Sequence, residues 1–261
     1  MKYPLILRSA ALIATAGFFS CAPVTHAPAA EQAAIATGES AANRDAFRDK
    51  PELRPGLATG WGDEKTSTVI NRSFVRASSK PAGTDAIYYN NAEGIQAMAN
   101  SPEKVNGMQT AAGSLVDWGV KGRFGFLPTY KEYGHNRRLV AGEKNGNYTI
   151  VVHNRSKSAL EIVASVDGLD VMDGKLASFS KSGYLVVSGR SLEIDGFRTS
   201  TSTVAAFEFS SVANSYANLR HGDTRNVGVI GIAVFTQKGV NPWTSTEVRH
   251  RDKARAFAEA P

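Results

Sequence analysis

Three features of the sequence point to an all-β domain, mainly antiparallel, built as a β-sandwich or jelly roll with one or two short helices. Several segments alternate apolar and polar residues with a period of two, as half-buried strands must. These segments recur at about 8–12-residue spacing with turn residues between them, which favours a sandwich over a βαβ protein. One segment, 227–235, carries Val229, Ile230, Ile232, Val234 and Phe235 and is apolar on both faces, as a central strand covered on two sides would be.

In chain order, residues 92–99 follow Asn90-Asn91, a suitable helix cap, and read as a short helix. Tyr148, Ile150 and Val152 share one strand face, and Leu160, Ile162, Ala164 and Val166 share another. The polar run Asn154-Arg155-Ser156-Lys157-Ser158 lies between them, so an antiparallel hairpin is expected. Strands at 184–187 and 191–194 are joined by Ser188-Gly189-Arg190. A strand at 204–209, a short helix at 212–219 and the strand at 227–235 complete the series. The domain is bounded at 56–248, with 249–261 as a basic, frayed tail.

The chain opens with Lys2 and Arg8, then an uncharged run over residues 9–19 rich in Ala, Leu, Ile and Phe. This is a signal peptide, assigned to residues 1–20. The run of about 11 residues is too short for a hydrocarbon core that needs roughly 20, and no later segment is longer and equally apolar. Residues 22–55, rich in Ala, Pro, Glu and Arg, lack the large apolar side chains that offset ordering entropy. With Cys21, at 21–55, they read as a flexible tether.

Cys21 is the only cysteine. A lone thiol in an exported chain cannot close an internal disulfide, so it is expected to be modified or removed. Phe18-Phe19-Ser20-Cys21 resembles the lipobox of bacterial lipoproteins, with Ser20 at the small position and Phe18 where Leu is usual. The resemblance implies a lipid on Cys21, and Ala22, standing where an Asp would resemble an inner-membrane retention signal, implies the outer membrane. The alternative is simple cleavage after Ala27-Pro28-Ala29, which would leave a soluble periplasmic or secreted protein. The later half of the chain, through Gly196-Phe197-Arg198, Ala205-Ala206-Phe207-Glu208-Phe209 and Gly222-Asp223-Thr224-Arg225-Asn226-Val227-Gly228-Val229-Ile230-Gly231, resembles an uncharacterised family of bacterial envelope lipoproteins. That resemblance implies a location and no activity.

The net charge of +6 falls to about +4 once residues 1–20 are removed. Basic and acidic residues are interspersed, without the Lys/Arg tracts of a nucleic-acid module, so nucleic acid is not an expected partner. Two Ser-x-x-Lys pairs, Ser101/Lys104 and Ser178/Lys181, match the needs of a serine acyl-enzyme only at the level of chance. Asp167, Asp170 and Asp173 raise the question of an irregular Ca²⁺ site. Their spacing is not that of an EF-hand, and two Asp-Gly turns flanking a short strand is the simpler reading. The five histidines have no zinc-ligand spacing, and no metal or cofactor is called for.

Binding is therefore the better prospect than catalysis. Trp61, Tyr88, Tyr89, Trp118, Phe124, Phe126, Tyr130 and Tyr133 crowd the first half among glycines; they either fill the core or build a stacking platform for sugars or side chains. Arg198 and Arg225, with Asp223 and the Thr199–Thr203 run, form either turn contacts or a docking site for a carboxylate or other anion. The expected function is a non-catalytic, membrane-tethered envelope lipoprotein that binds another envelope component, in first place a protein, with glycan as the alternative ligand. The alternative function is an envelope hydrolase using carboxylates such as Asp117 and Glu132, or a glycan-binding module.

Overall fold

The computed structural model describes residues 53–255, except 71, 100, 133, 136, 242 and 243. Its first half runs β1 (Leu57–Thr66), β2 (Gly83–Asn90), α1 (Ala92–Met98), β3 (Glu103–Val105), β4 (Met108–Ala111), β5 (Val116–Gly122), β6 (Gly125–Phe126), β7 (Thr129–Lys131), β8 (Arg138–Ala141) and β9 (Asn147–Asn154). The second half runs β10 (Leu160–Val166), β11 (Leu169–Asp170), β12 (Tyr184–Val186), β13 (Ser191–Ile194), β14 (Gly196–Arg198), β15 (Thr203–Ser211), α2 (Tyr216–His221), β16 (Val229–Thr236) and α3 (Ser245–Asp252). The signal segment, Cys21 and most of the expected tether lie outside the described residues, as does Tyr133. Among those described, no helix is long and apolar enough to cross a membrane.

Two sheets face each other. The first is ordered β1-β15-β9-β5-β4, with β6 on β5, β13 on β9 and β14 on β15; the second is ordered β11-β10-β16-β2-β8-β7-β3, with β12 on β10. Every pairing is antiparallel except β2 with β8, and helix α1 bridges that parallel crossover by packing Ile95 against Leu139. The architecture is the all-β sandwich that the alternation of side chains implies.

The period of two sets the core. Val116, Trp118 and Val120 of β5, Tyr148, Ile150 and Val152 of β9, and Phe207 and Phe209 of β15 point inward from the first sheet. Ile87 and Tyr89 of β2, with the expected faces of β10 and β16, meet them from the second. Each large side chain so buried contributes roughly 1.5–3 kcal/mol. Strand β16 is central and covered on both sides: Ile230, Ile232 and Val234 face the core, while Ala233 and Phe235 lie with Val163 under Phe74 on the outer face.

The expected hairpin across residues 154–158 does not form. β9 pairs with β5, β13 and β15 in the first sheet, whereas β10 pairs with β11, β12 and β16 in the second. The connection 188–190 likewise leads from β12 in the second sheet to β13 in the first. Both segments are crossovers, and Asn154, fully buried, stitches them together. Its Nδ2 donates to the carbonyls of Ser158 and Val186, its Oδ1 accepts from the Ser156 amide and hydroxyl, and its backbone bonds Gly189 and Arg190. A two-residue period fixes which side chains point inward. It does not say which of two facing sheets a strand joins.

Local chemistry explains the helices. The Asn91 side chain accepts from the Gly94 amide at 2.8 Å and starts α1. Helix α2 begins later than 212 because Ser215 is its cap, and it ends at Gly222 in the left-handed region, φ 62°. Helix α3 spans the boundary drawn at 248. Thr244 caps it, and Arg249, His250 and Arg251 sit in its last turn, where the helix dipole favours cations.

Candidate functional site

Trp61 lies on β1, the edge strand of the first sheet, where the register with β15 shifts between Trp61 and Glu64. The register is regular from Leu57 to Trp61, so Trp61 shares a strand face with the buried Thr59, and at this edge its indole is left 50% exposed. Below it the ring of Phe197 stacks at 6.2 Å and 8°, and Tyr216 of α2 leans against it at 4.6 Å. Leu219, 72% exposed, and Arg220 extend the same surface, and the four residues line a groove of about 360 Å³ formed by Trp61, Tyr216, Leu219 and Arg220. A large ring held rigid from beneath, beside an exposed aliphatic chain and a guanidinium, is suited to receive an apolar group next to an anion. Composition drew attention to Trp61. Its companions from α2 were missed, because their role depends on how a six-residue helix seats against β1.

Of the other aromatic candidates, Tyr88, Tyr89 and Trp118 pack into hydrophobic clusters, whereas Phe124 and Phe126 are exposed. Tyr89 is 1% exposed and Trp118 is fully buried, while Tyr88 is half-buried in the small cluster beneath α1, with the Arg137 guanidinium 5.5 Å from its ring. The Trp118 indole donates to Asp85 at 2.7 Å, and Arg138, only 6% exposed, ion-pairs with the same carboxylate above the indole ring. Burial lowers the Arg138 pKa from its ordinary value, against the opposing pull of Asp85.

Tyr89 belongs to a buried polar chain between the sheets. Tyr148 Oη meets Thr59 Oγ1 at 2.6 Å, Thr59 Oγ1 meets Tyr89 Oη at 2.7 Å, and Tyr89 donates to Asp167 at 2.6 Å. Amides of Thr59 and Gly228 donate to the same carboxylate at 2.8 and 2.9 Å. Burial pushes the Asp167 carboxyl up to about 6 despite these donors. The same burial, with the Asp167 charge adding to it, holds both tyrosine hydroxyls well above their ordinary range. Asp167 and Gly168, φ 53° and 80°, form the two-residue turn between β10 and β11.

The three aspartates do not converge. Asp167 points into the sandwich, Asp170 accepts from the Met172 amide, and Asp173 accepts from the Lys175 amide and from Lys181 Nζ at 2.7 Å. They are turn residues around β11, and among the described residues no cluster of three or more His, Cys, Asp or Glu is placed to hold a metal. The Lys181 ammonium is directed to Asp173, not to Ser178.

Arg198 and Arg225 are not joined by any of their principal contacts. Arg198 bonds Tyr184 Oη at 3.0 Å, the Ser67 carbonyl at 2.7 Å and the Ser200 carbonyl, tying β14 to the strands around it. Arg225 closes on Asp223 two residues away, with Nη2 to Oδ2 at 2.8 Å, and this bond is the main cause that lowers the Asp223 pKa. This matches the turn reading. Replacing Arg225 by Gln is expected to change stability by less than about 1 kcal/mol in a urea titration, as for other exposed pairs. A loss several times larger would show that the pair anchors more than its own turn.

Asp117 and Glu132 are likewise separate. Asp117 sits on the outer face of the first sheet, bonded to Arg155 at 3.0 Å and to Thr110, whereas Glu132 follows β7 of the second sheet and pairs with Arg137. No family model, curated protein or solved structure matches this chain. The reading of its function therefore rests on the geometry above.

Proposed function

We propose that this chain is a non-catalytic envelope lipoprotein, tethered through Cys21 and docking another protein on the shelf of Trp61, Tyr216, Leu219 and Arg220. One observation carries the reading: a half-exposed Trp61, braced by Phe197 and Tyr216, lies beside an exposed Leu219. Exposed rings locked in place lose little entropy on binding and act as anchors for a partner's side chains. Arg220 favours a partner segment with a carboxylate next to its apolar residue. The lipobox-like leader supports a lipid anchor, facing the periplasm from the outer membrane.

The test is site-specific photocrosslinking in cells, with a photoreactive residue in place of exposed Leu219 in the full-length chain. A defined protein adduct is expected, and Trp61→Ala should reduce it about tenfold or more, as removal of a hot-spot aromatic does. An adduct insensitive to Trp61→Ala, or no adduct beyond the free chain, would count against the shelf as the docking surface.

A further inference from the structure

At the opposite edge of the first sheet from Trp61, the rim of the sandwich opens into a second, polar cavity of about 350 Å³. Its floor is Asp85 with the buried Arg138, and its walls carry Gln109, Thr110, Ser114 and Lys131. Lys131 of β7 stands directly opposite Arg138 of β8 in the register. Like charges placed opposite each other in a sheet repel, so this pairing is costly to the fold alone. Asp85 is the one acid lining the cavity, and its oxygens already accept from Arg138, the Trp118 indole and the Ala86 amide. Glu103 faces Lys131 from β3 but makes no ion pair with it and does not line the cavity. Two cations and one satisfied acid thus leave a net positive charge facing hydroxyl and amide groups.

The rim above carries strain. Ala112, Gly113 and Ser114 all lie in the left-handed region, φ 52°, 63° and 69°, and two of them are not glycine. Gly83 holds this turn down, since a Cβ there would come within 2.6 Å of the Ala112 Cα. Strain of this kind gathers where a loop is shaped for a ligand.

We propose that this cavity binds a small hydroxylated carboxylate, a single-ring sugar acid, with its carboxylate on Lys131 and Arg138 and its hydroxyls on Gln109 and Ser114. Neutral sugar lacks the group that the net positive charge calls for, and a simple anion lacks the hydroxyls that the walls would satisfy. The site shares no lining residue with the Trp61 shelf and stands or falls independently of it.

The experiment is a calorimetric titration of the intact mature chain with glucuronate, beside glucose, acetate and inorganic phosphate. Glucuronate should bind, and glucose should bind at least about tenfold more weakly, the loss of one charge-assisted contact. Lys131→Gln, at an exposed side chain whose loss leaves the fold intact, should weaken glucuronate by about tenfold or more. Absence of glucuronate binding, or binding unchanged in Lys131→Gln, would overturn the proposal. Phosphate or acetate binding as tightly as glucuronate would overturn the sugar-acid assignment and leave a bare anion site.

Discussion

Replacing Arg76 by Met is expected to destabilise the domain by about 3–5 kcal/mol, the usual cost of leaving one member of a buried ion pair uncompensated. Arg76 Nε meets Glu161 Oε2 at 2.6 Å, and both side chains are largely buried. The remaining guanidinium nitrogens donate to the carbonyls of Phe179 and Lys181, and the group lies 3.6 Å from the centre of the Phe235 ring. Glu161 in turn accepts from the Gly183 amide at 2.7 Å. One side chain thus pins the segment before β2 and the loop before β12 onto the outer face of β16. Equilibrium urea unfolding at constant m measures the loss, and the paired variant Arg76→Met with Glu161→Leu should recover most of it, because no charge is then left buried. If the single and paired variants are equally unstable, the ion pair is not what holds these segments.

The second large effect depends on pH. Asp167 titrates near 6 in the folded protein against an ordinary value of 3.8, because burial outweighs its hydrogen-bond donors. A carboxyl whose folded pKa is raised binds its proton more tightly folded than unfolded. Its contribution to stability is therefore fully present below the unfolded value and is lost as pH rises through about 6. The difference across that window is about 3 kcal/mol at roughly 1.4 kcal/mol per pH unit. Asp170 shifts the same way and Asp173 and Asp223 the opposite way, so the comparison has to be made with Asp167→Asn, which removes one titration only. The Asn variant turns an amide towards the Thr59 N–H and should cost about 1–3 kcal/mol when Asp167 is protonated. That deficit should shrink or reverse between about pH 4 and pH 8, as the wild type alone loses stability. Urea midpoints at both ends of the range measure it; a deficit that stays constant would mean that Asp167 does not titrate in this window.

The inward faces of the sandwich were legible in the sequence because burial imposes a period of two, and β16 stood out because both its faces are apolar. Sheet membership was not legible: Tyr148 and Leu160 show the same alternation whether their strands are neighbours or face each other across the core. The aromatic residues divided by position and not by type. Tyr89 and Trp118 fell on inward positions of strands within their sheets, whereas Trp61 stands on the edge strand β1 and stays half exposed. The polar cavity was missed because Lys131 and Arg138 become neighbours only through the register of β7 and β8. One signal was present. Arg138 occupies the inward slot two residues before the buried Val140, a charge where the pattern calls for an apolar side chain.

The twin crossovers stitched by Asn154 have a consequence for how the chain acquires its structure. Among the described residues β1 pairs with β15 alone, and β2 and β10 both pair with β16, so neither sheet can be assembled from a contiguous stretch. The contact order is high, loop closure precedes most of the stabilising burial, and the domain belongs among slow folders. Strand β1 therefore stays unpaired until residues 203–211 are available, however early it is made.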